Sequence, residues 1–166
     1  MKAASALIIR PAAAADAPAL GKLGALLVSV HHDFDPDRFI AAMAGTERAY
    51  GGFLAQELNR PDKCVLVAEE AGMVLAYAYA GLEGNDYMAL RGPAGVVYDL
   101  VVDPNRRREG IGRQLLGAAL AALIERGAPR VVLSTAERNV SAQRLFANVG
   151  FRRTMIEMTW EPGNRE

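Results

Sequence analysis

Three consecutive arginines, Arg106, Arg107 and Arg108, stand just ahead of Glu109, Gly110, Ile111, Gly112 and Arg113. The segment follows an apolar run at 96–102 and opens a second apolar stretch at 110–126. That order reads as strand, glycine loop, helix N-terminus. Backbone N–H groups in the first turn of a helix have no intrahelical partner, and the helix dipole adds partial positive charge there. Gly110 and Gly112 keep side chains away from an approaching ligand, and Arg107 and Arg108 bring charge to the lip. The chemistry this pattern suits is capture of a pyrophosphate.

Two common phosphate-binding patterns are excluded. An NTPase loop needs Lys followed by Ser or Thr after its last glycine, and Arg113 and Gln114 stand there instead. A dinucleotide fingerprint needs a third glycine close to the first strand, whereas this loop is late in the chain and has two. Immediately upstream, Asp99 is the only carboxylate in the apolar part of its strand. Burial there would raise its pKa toward a range useful for proton transfer. It reads either as a general base or as a carboxylate held by neighbouring backbone or arginine. Its neighbour Tyr98 could orient water or substrate, or pack. Tyr77 and Tyr79 share one strand face and fit pocket lining or packing equally. Cys64 reads as a small core residue. His31, His32, Asp33, Asp35 and Asp37 form another unusual cluster, but adjacent histidines diverge and the chain has only two, so no metal site is expected.

These residues need a scaffold. The chain has 166 residues, 51% of them hydrophobic and 23% charged, which suits one soluble domain over 1–166. Its formal net charge is zero, so binding to nucleic acid is not expected. The N-terminal apolar stretch is broken by Arg10, Pro11 and Asp16, which argues against a signal peptide or membrane span. A single cysteine permits no internal disulfide, and a cytoplasmic setting is expected. Strands are expected at 6–10, 63–70, 73–82, 96–103 and 130–134, with one or two more at 151–160. Helices are expected from Asp16 to Val30, from Asp35 onward with interruptions at Gly45, Gly51 and Gly52, at 110–126 and at 141–149. Residues 31–34 read as a break. The 155–160 end is expected in the core or at a dimer contact.

The run from Arg107 to Gly112 resembles the R/Q-x-x-G-x-G/A motif of the GNAT superfamily of acyl-CoA-dependent N-acyltransferases. The run from Asn139 to Phe151 resembles that family's N-x-x-A-x-x-L-Y/F-x-x-x-G-F block, and the element order over 6–160 agrees. The resemblance implies an α/β fold with a mostly antiparallel twisted sheet, one parallel strand pair at the cofactor cleft, and about four flanking helices. It implies an N-acetyltransferase carrying acetyl from acetyl-CoA to a primary amine, with a non-catalytic acyl-CoA sensor as the alternative.

Residue by residue, the resemblance assigns backbone groups of Leu100, Val101 and Val102 to the pantetheine arm, and a strand bulge to the thioester carbonyl. It assigns the N–H donors from Arg108 through Glu109, Gly110, Ile111, Gly112 and Arg113 to the pyrophosphate. Asn139 would bond the pantetheine, and Phe146 would pack beside the sulfur. The oxyanion donor would be the N–H of Val101 or Val102. Asp99 and Tyr98 are the catalytic candidates. Many relatives carry an acid tyrosine where Phe146 stands, so the thiolate's proton needs another source. His31, His32, Asp33 and Asp35 would edge the acceptor pocket, or cap a surface loop. A homodimer is a further expectation.

Overall fold

The computed structural model describes residues 6–163. Five strands form one sheet in the order β1-β2-β3-β4-β5: β1 Ile8–Pro11, β2 Lys63–Glu70, β3 Met73–Glu83, β4 Ala94–Val102 and β5 Val131–Leu133. The first four are antiparallel and β5 runs parallel to β4. Four helices flank the sheet: α1 Ala17–Phe34, α2 Thr46–Glu57, α3 Ile111–Glu125 and α4 Val140–Val149. Ala71 and Gly72 both take positive φ in the two-residue turn between β2 and β3, as a tight hairpin requires. Arg10 ties β1 down by bonding Asp16 and Glu69, so the Asp16 carboxylate serves that ion pair and the Ala13 N–H rather than the cap of α1.

The alternating strand pattern divides the interior by sheet face. Val65, Val67, Tyr77, Tyr79 and Val101 pack beneath α1 and α2 with Leu20, Leu23 and Leu54. On the opposite face Ala76, Ala78 and Leu100 meet Ile111, Leu115 and Ala119 of α3. Cys64 is buried beside Val97, Leu116 and Phe146, and burial pushes its thiol pKa up.

Four local expectations are corrected. Helix α1 continues through His31 and His32 to Phe34, because Leu27, the two histidines and Phe34 keep helical spacing across the expected break. Asp35 does not start a helix: its carboxylate accepts the N–H groups of Asp37 and Arg38 in a turn, and α2 begins only at Thr46. Gly51 and Gly52 do not interrupt α2. Gly51 is there for contact, since a Cβ on it would sit 2.4 Å from the Ala17 carbonyl oxygen. A Cβ on Gly21 would sit 2.2 Å from the Glu47 carbonyl oxygen, and one on Gly24 would strike the Tyr50 ring. The glycines let the two helices touch backbone to backbone. Finally, residues 151–161 form no strand, and Met155, Ile156, Met158 and Trp160 are exposed rather than in the core.

Opposite responses to the same substitution are expected on this basis. Gly117 lies in α3 with nothing near a built Cβ, so Gly117→Ala should stabilise by about 0.5–1 kcal/mol through helix propensity. Gly21→Ala gains the same propensity but must push α1 from α2, and should destabilise by about 1–3 kcal/mol. Urea unfolding of the two variants measures both.

Candidate active site

The site begins with one extra residue in β4. Tyr79 pairs with Asp99 and Ala80 with Val97, so Tyr98 is left over as a bulge. A bulge turns two consecutive side chains to one face. Tyr98 and Asp99 accordingly both lie on the α1–α2 side, where Tyr98 stacks on Tyr79 with centroids 4.7 Å apart. The bulge also resets which backbone groups point where. Gly95 N–H bonds Arg130 O on the β5 side, while Asp103 N–H bonds Leu75 O on the β3 side. Alternation from Asp103 directs Val101 toward β3 and leaves the N–H and C=O of Leu100 and Val102 on the open side. Of the three backbone positions expected at the cofactor, Val101 is therefore the one turned away.

Parallel pairing of β4 with β5 ends at Val97 and Leu133, one residue before the bulge. Beyond it the strands part, and a cleft of about 260 Å³ opens between them. Leu100, Ser134, Thr135, Asn139 and Phe146 line one part; Leu27, Val28, His31, Phe39 and Ile40 line another, with Tyr98 and Asp99 between. Asn139 caps α4 by accepting Ala142 N–H at 3.2 Å. Phe146 is held edge-on by Phe151 at 6.0 Å.

Asp99 is the carboxylate of this cleft. Its Oδ2 accepts the hydroxyls of Tyr50 at 2.7 Å and Tyr77 at 2.9 Å. Burial raises its pKa above the ordinary aspartate value, while the two hydroxyls and nearby His31 partly oppose that rise. Both tyrosines are themselves pushed well above the usual phenol range, first by burial and then by the Asp99 charge, so they act as fixed donors. His31 Nδ1 lies 2.9 Å from Leu27 O. A carbonyl only accepts, so Nδ1 carries the hydrogen and a neutral ring keeps its Nε2 lone pair. The edges of Phe34 and Phe39 hold the ring in place. His32 does different work: its Nδ1 bonds Phe39 O at 2.8 Å and anchors the 35–45 loop. The Tyr98 hydroxyl is committed elsewhere, donating to Glu83 and accepting from Lys63, each at 2.7 Å. Tyr98 therefore offers the cleft its ring.

The glycine loop stands at the C-terminal end of β4. Arg108 and Gly110 have positive φ, which turns the chain sharply into α3. The first bond into the helix is Gln114 N–H to Gly110 O, so the N–H groups of Ile111, Gly112 and Arg113 precede it. Arg107, Arg108 and Glu109 are exposed, whereas Arg106 is drawn off by Glu70 and Glu109. A Cβ on Gly110 would meet nothing within 4 Å, and one on Gly112 would face Val102 and Leu145 at ordinary contact distance. The loop is exposed and leaves the first N–H groups of α3 without intrahelical partners, an arrangement suited to an anion.

Tyr50 and the partnership of Tyr77 with Asp99 are not legible in the sequence. The available signal is the helical glycine at 24, whose missing side chain makes room for the Tyr50 ring. Among the described residues no three His, Cys, Asp or Glu side chains converge as a metal site, and no helix is long and apolar enough to cross a membrane.

Comparison with known proteins agrees with this geometry. Residues 27–151 match the model of the acetyltransferase (GNAT) family. A mycothiol acetyltransferase of Thermobispora bispora is 38% identical over 98 residues, covering 57% of this chain and 32% of that protein. One of Clavibacter sepedonicus is 33% identical over 132 residues, covering 76% and 42%. The chain thus spans about a third of the length of the first of these relatives. A mutant of the BH1408 protein from Bacillus halodurans superposes with a TM-score of 0.80 at 22% identity, over 93% of this chain and 98% of that one. The aminoglycoside N-acetyltransferase AAC(6')-Iy, solved in complex with CoA, superposes with a TM-score of 0.72 at 16% identity, over 98% and 99%. By its motifs, its sheet with one parallel pair at the cleft, and the match over 27–151, this chain belongs to the GNAT acetyltransferase family.

Proposed function

We propose that the chain transfers an acetyl group from acetyl-CoA to a primary amine. The observation that carries this reading is the cleft at the β4 bulge, lined by Leu100 and Asn139 in one part and by Asp99 with His31 in another, with the glycine loop and the α3 N-terminus following the C-terminal end of the same strand. Acetyl-CoA, as cosubstrate, supplies an activated thioester. Arg107, Arg108 and the N–H groups from Glu109 to Arg113 hold its diphosphate. Leu100 and Val102 offer backbone groups to the pantetheine, with the amide nitrogen of Asn139 beside them. The Leu100 or Val102 N–H supports the oxyanion that develops on the thioester carbonyl.

A primary amine arrives as an ammonium ion, since its pKa is near 10. Asp99 receives that cation and accepts its first proton, and its raised pKa makes it a better base than an exposed carboxylate. His31 Nε2 relays protons outward. As the N–C bond forms and the C–S bond breaks, the amine gives up a second proton. One of the two ends on the departing thiolate and the other reaches solvent, so Phe146 needs no acid role. Tyr98 serves as a wall. The mycothiol and aminoglycoside acetyltransferases take different acceptors by name, so neither name carries over. The lone buried thiol suits a reducing cytoplasm.

The exposed 155–160 arm supports a homodimer. Its four large side chains are 70–87% exposed, and the outer edge of β5 carries no further strand among the described residues. Two such arms related by a two-fold axis would bury on the order of 1,000 Å², enough for a specific interface.

Titration calorimetry with acetyl-CoA is expected to show saturable one-site binding; no binding at millimolar concentration would overturn the reading. Asp99→Asn should keep that affinity and lose about 100-fold in kcat/KM at pH 7, measured by thiol release, with the loss narrowing as pH approaches 10. Binding without turnover of any amine would favour the sensor.

Stability gives a separate check on Asp99. Its native pKa is raised, so its contribution is fully present below about pH 4 and is lost as pH climbs through the raised value. The melting temperature of Asp99→Asn relative to the parent should therefore rise between pH 4 and pH 8. Light scattering should give a mass twice 17.8 kDa, and removal of residues 155–166 should halve it.

A further inference from the structure

We infer that the acceptor is a monoamine with an apolar body, an alkyl- or arylalkylamine, and not a polycation or an amino sugar; the inference rests on the acetyl-transfer reading above. The acceptor end of the cleft is built from Leu27 and Val28 of α1, Phe39 and Ile40 of the 35–45 loop, and the ring of Tyr98. Its polar groups are His31 and Asp99. Asp99 is the one carboxylate among the residues lining the cleft, so there is one place for a desolvated cation. A second ammonium group would have to lie against leucine, valine and phenylalanine without a counter-charge, which is costly. A sugar ring would leave its hydroxyls unpaired on the same wall.

The acidic residues nearby do not alter this. Asp33, Asp35 and Asp37 do not line the cleft, and Asp35 is spent on its own turn. Glu157 is paired with Arg38. The Arg138 guanidinium donates to Phe34 O at 2.8 Å and adds positive charge next to the loop, which further disfavours a polycation. The loop carrying Phe39 and Ile40 is held by His32 and by Phe39 N–H to Asp35 O, so the apolar wall is a built feature. Apolar walls with one or two convergent polar groups recognise a ligand by burying its body and orienting its head.

The test measures thiol release from acetyl-CoA with 2-phenylethylamine, hexylamine, glucosamine, spermidine, kanamycin and a tripeptide with a free N-terminus. The first two should exceed every other amine at least tenfold in kcat/KM. Preference for spermidine, kanamycin, glucosamine or the peptide overturns the class, as does turnover of none by a protein that binds acetyl-CoA in calorimetry. Absence of acetyl-CoA binding would instead overturn the activity itself, so the two failures are distinct. Ile40 is 80% exposed and can be changed without disturbing the core. Ile40→Glu should raise kcat/KM for spermidine several-fold and lower it for hexylamine, with acetyl-CoA affinity unchanged; no change in that ratio would remove the 35–45 loop from acceptor recognition.

Discussion

Strand β4 pairs with antiparallel β3 along its length and with parallel β5 only over Gly95, Val96 and Val97, where alternate residues serve the two ladders in one hydrogen-bond phase. One unpaired residue, Tyr98, then shifts that phase. Before it, Gly95 bonds toward β5; after it, Asp103 bonds toward β3. The phase change ends the parallel ladder, lets β5 diverge, and leaves Leu100 and Val102 with backbone groups facing a gap. The same residue turns Asp99 to the α1–α2 face. The open backbone groups of Leu100 and Val102 and the orientation of Asp99 are thus consequences of a single irregularity in pairing.

A carboxylate in that position is expensive, and the surroundings offset the cost. Tyr50 and Tyr77 donate to one oxygen of Asp99, reaching it from α2 and β3 respectively. Tyr50 can do so only because α2 lies very close to α1, and that closeness depends on Gly21, Gly24 and Gly51 having no side chains. Helix packing far from the glycine loop therefore sets the surroundings of Asp99. Donors in fixed positions need little reorganisation as charge changes on Asp99, which is the condition for electrostatic preorganisation.

Much of the scaffold around the glycine loop is legible in the sequence alone. The glycine loop, the Asn139–Phe151 block and the strand order all depend on local pattern, and local pattern survives folding. The hairpin at Ala71 and Gly72 is of the same kind. Boundaries that depend on contacts between elements are not legible in this way. Gly51 and Gly52 read as helix breakers because propensity favours that reading, yet packing against Ala17 overrides it. His31 reads as part of a link because the polar run from His31 to Asp37 looks like a break, although Leu27, His31 and Phe34 keep helical spacing through it. The 151–160 segment has strand-like composition, but a strand needs an edge to join, and none pairs with it among the described residues.

What the sequence by itself determined was the family, the glycine loop before α3 and the presence of one carboxylate in the central strand. These follow from short-range spacing, in which each residue's role depends on neighbours a few positions away. Only the tertiary structure decided which backbone groups of β4 face the cleft, which tyrosines hold Asp99, and that His31 keeps a ring nitrogen for the pocket while the Tyr98 hydroxyl is committed to Glu83 and Lys63. Those outcomes depend on pairing phase and on contacts between Tyr50, Tyr77 and Asp99, residues 22 to 49 positions apart. No local pattern encodes such contacts, because they exist only once the helices and the sheet have packed.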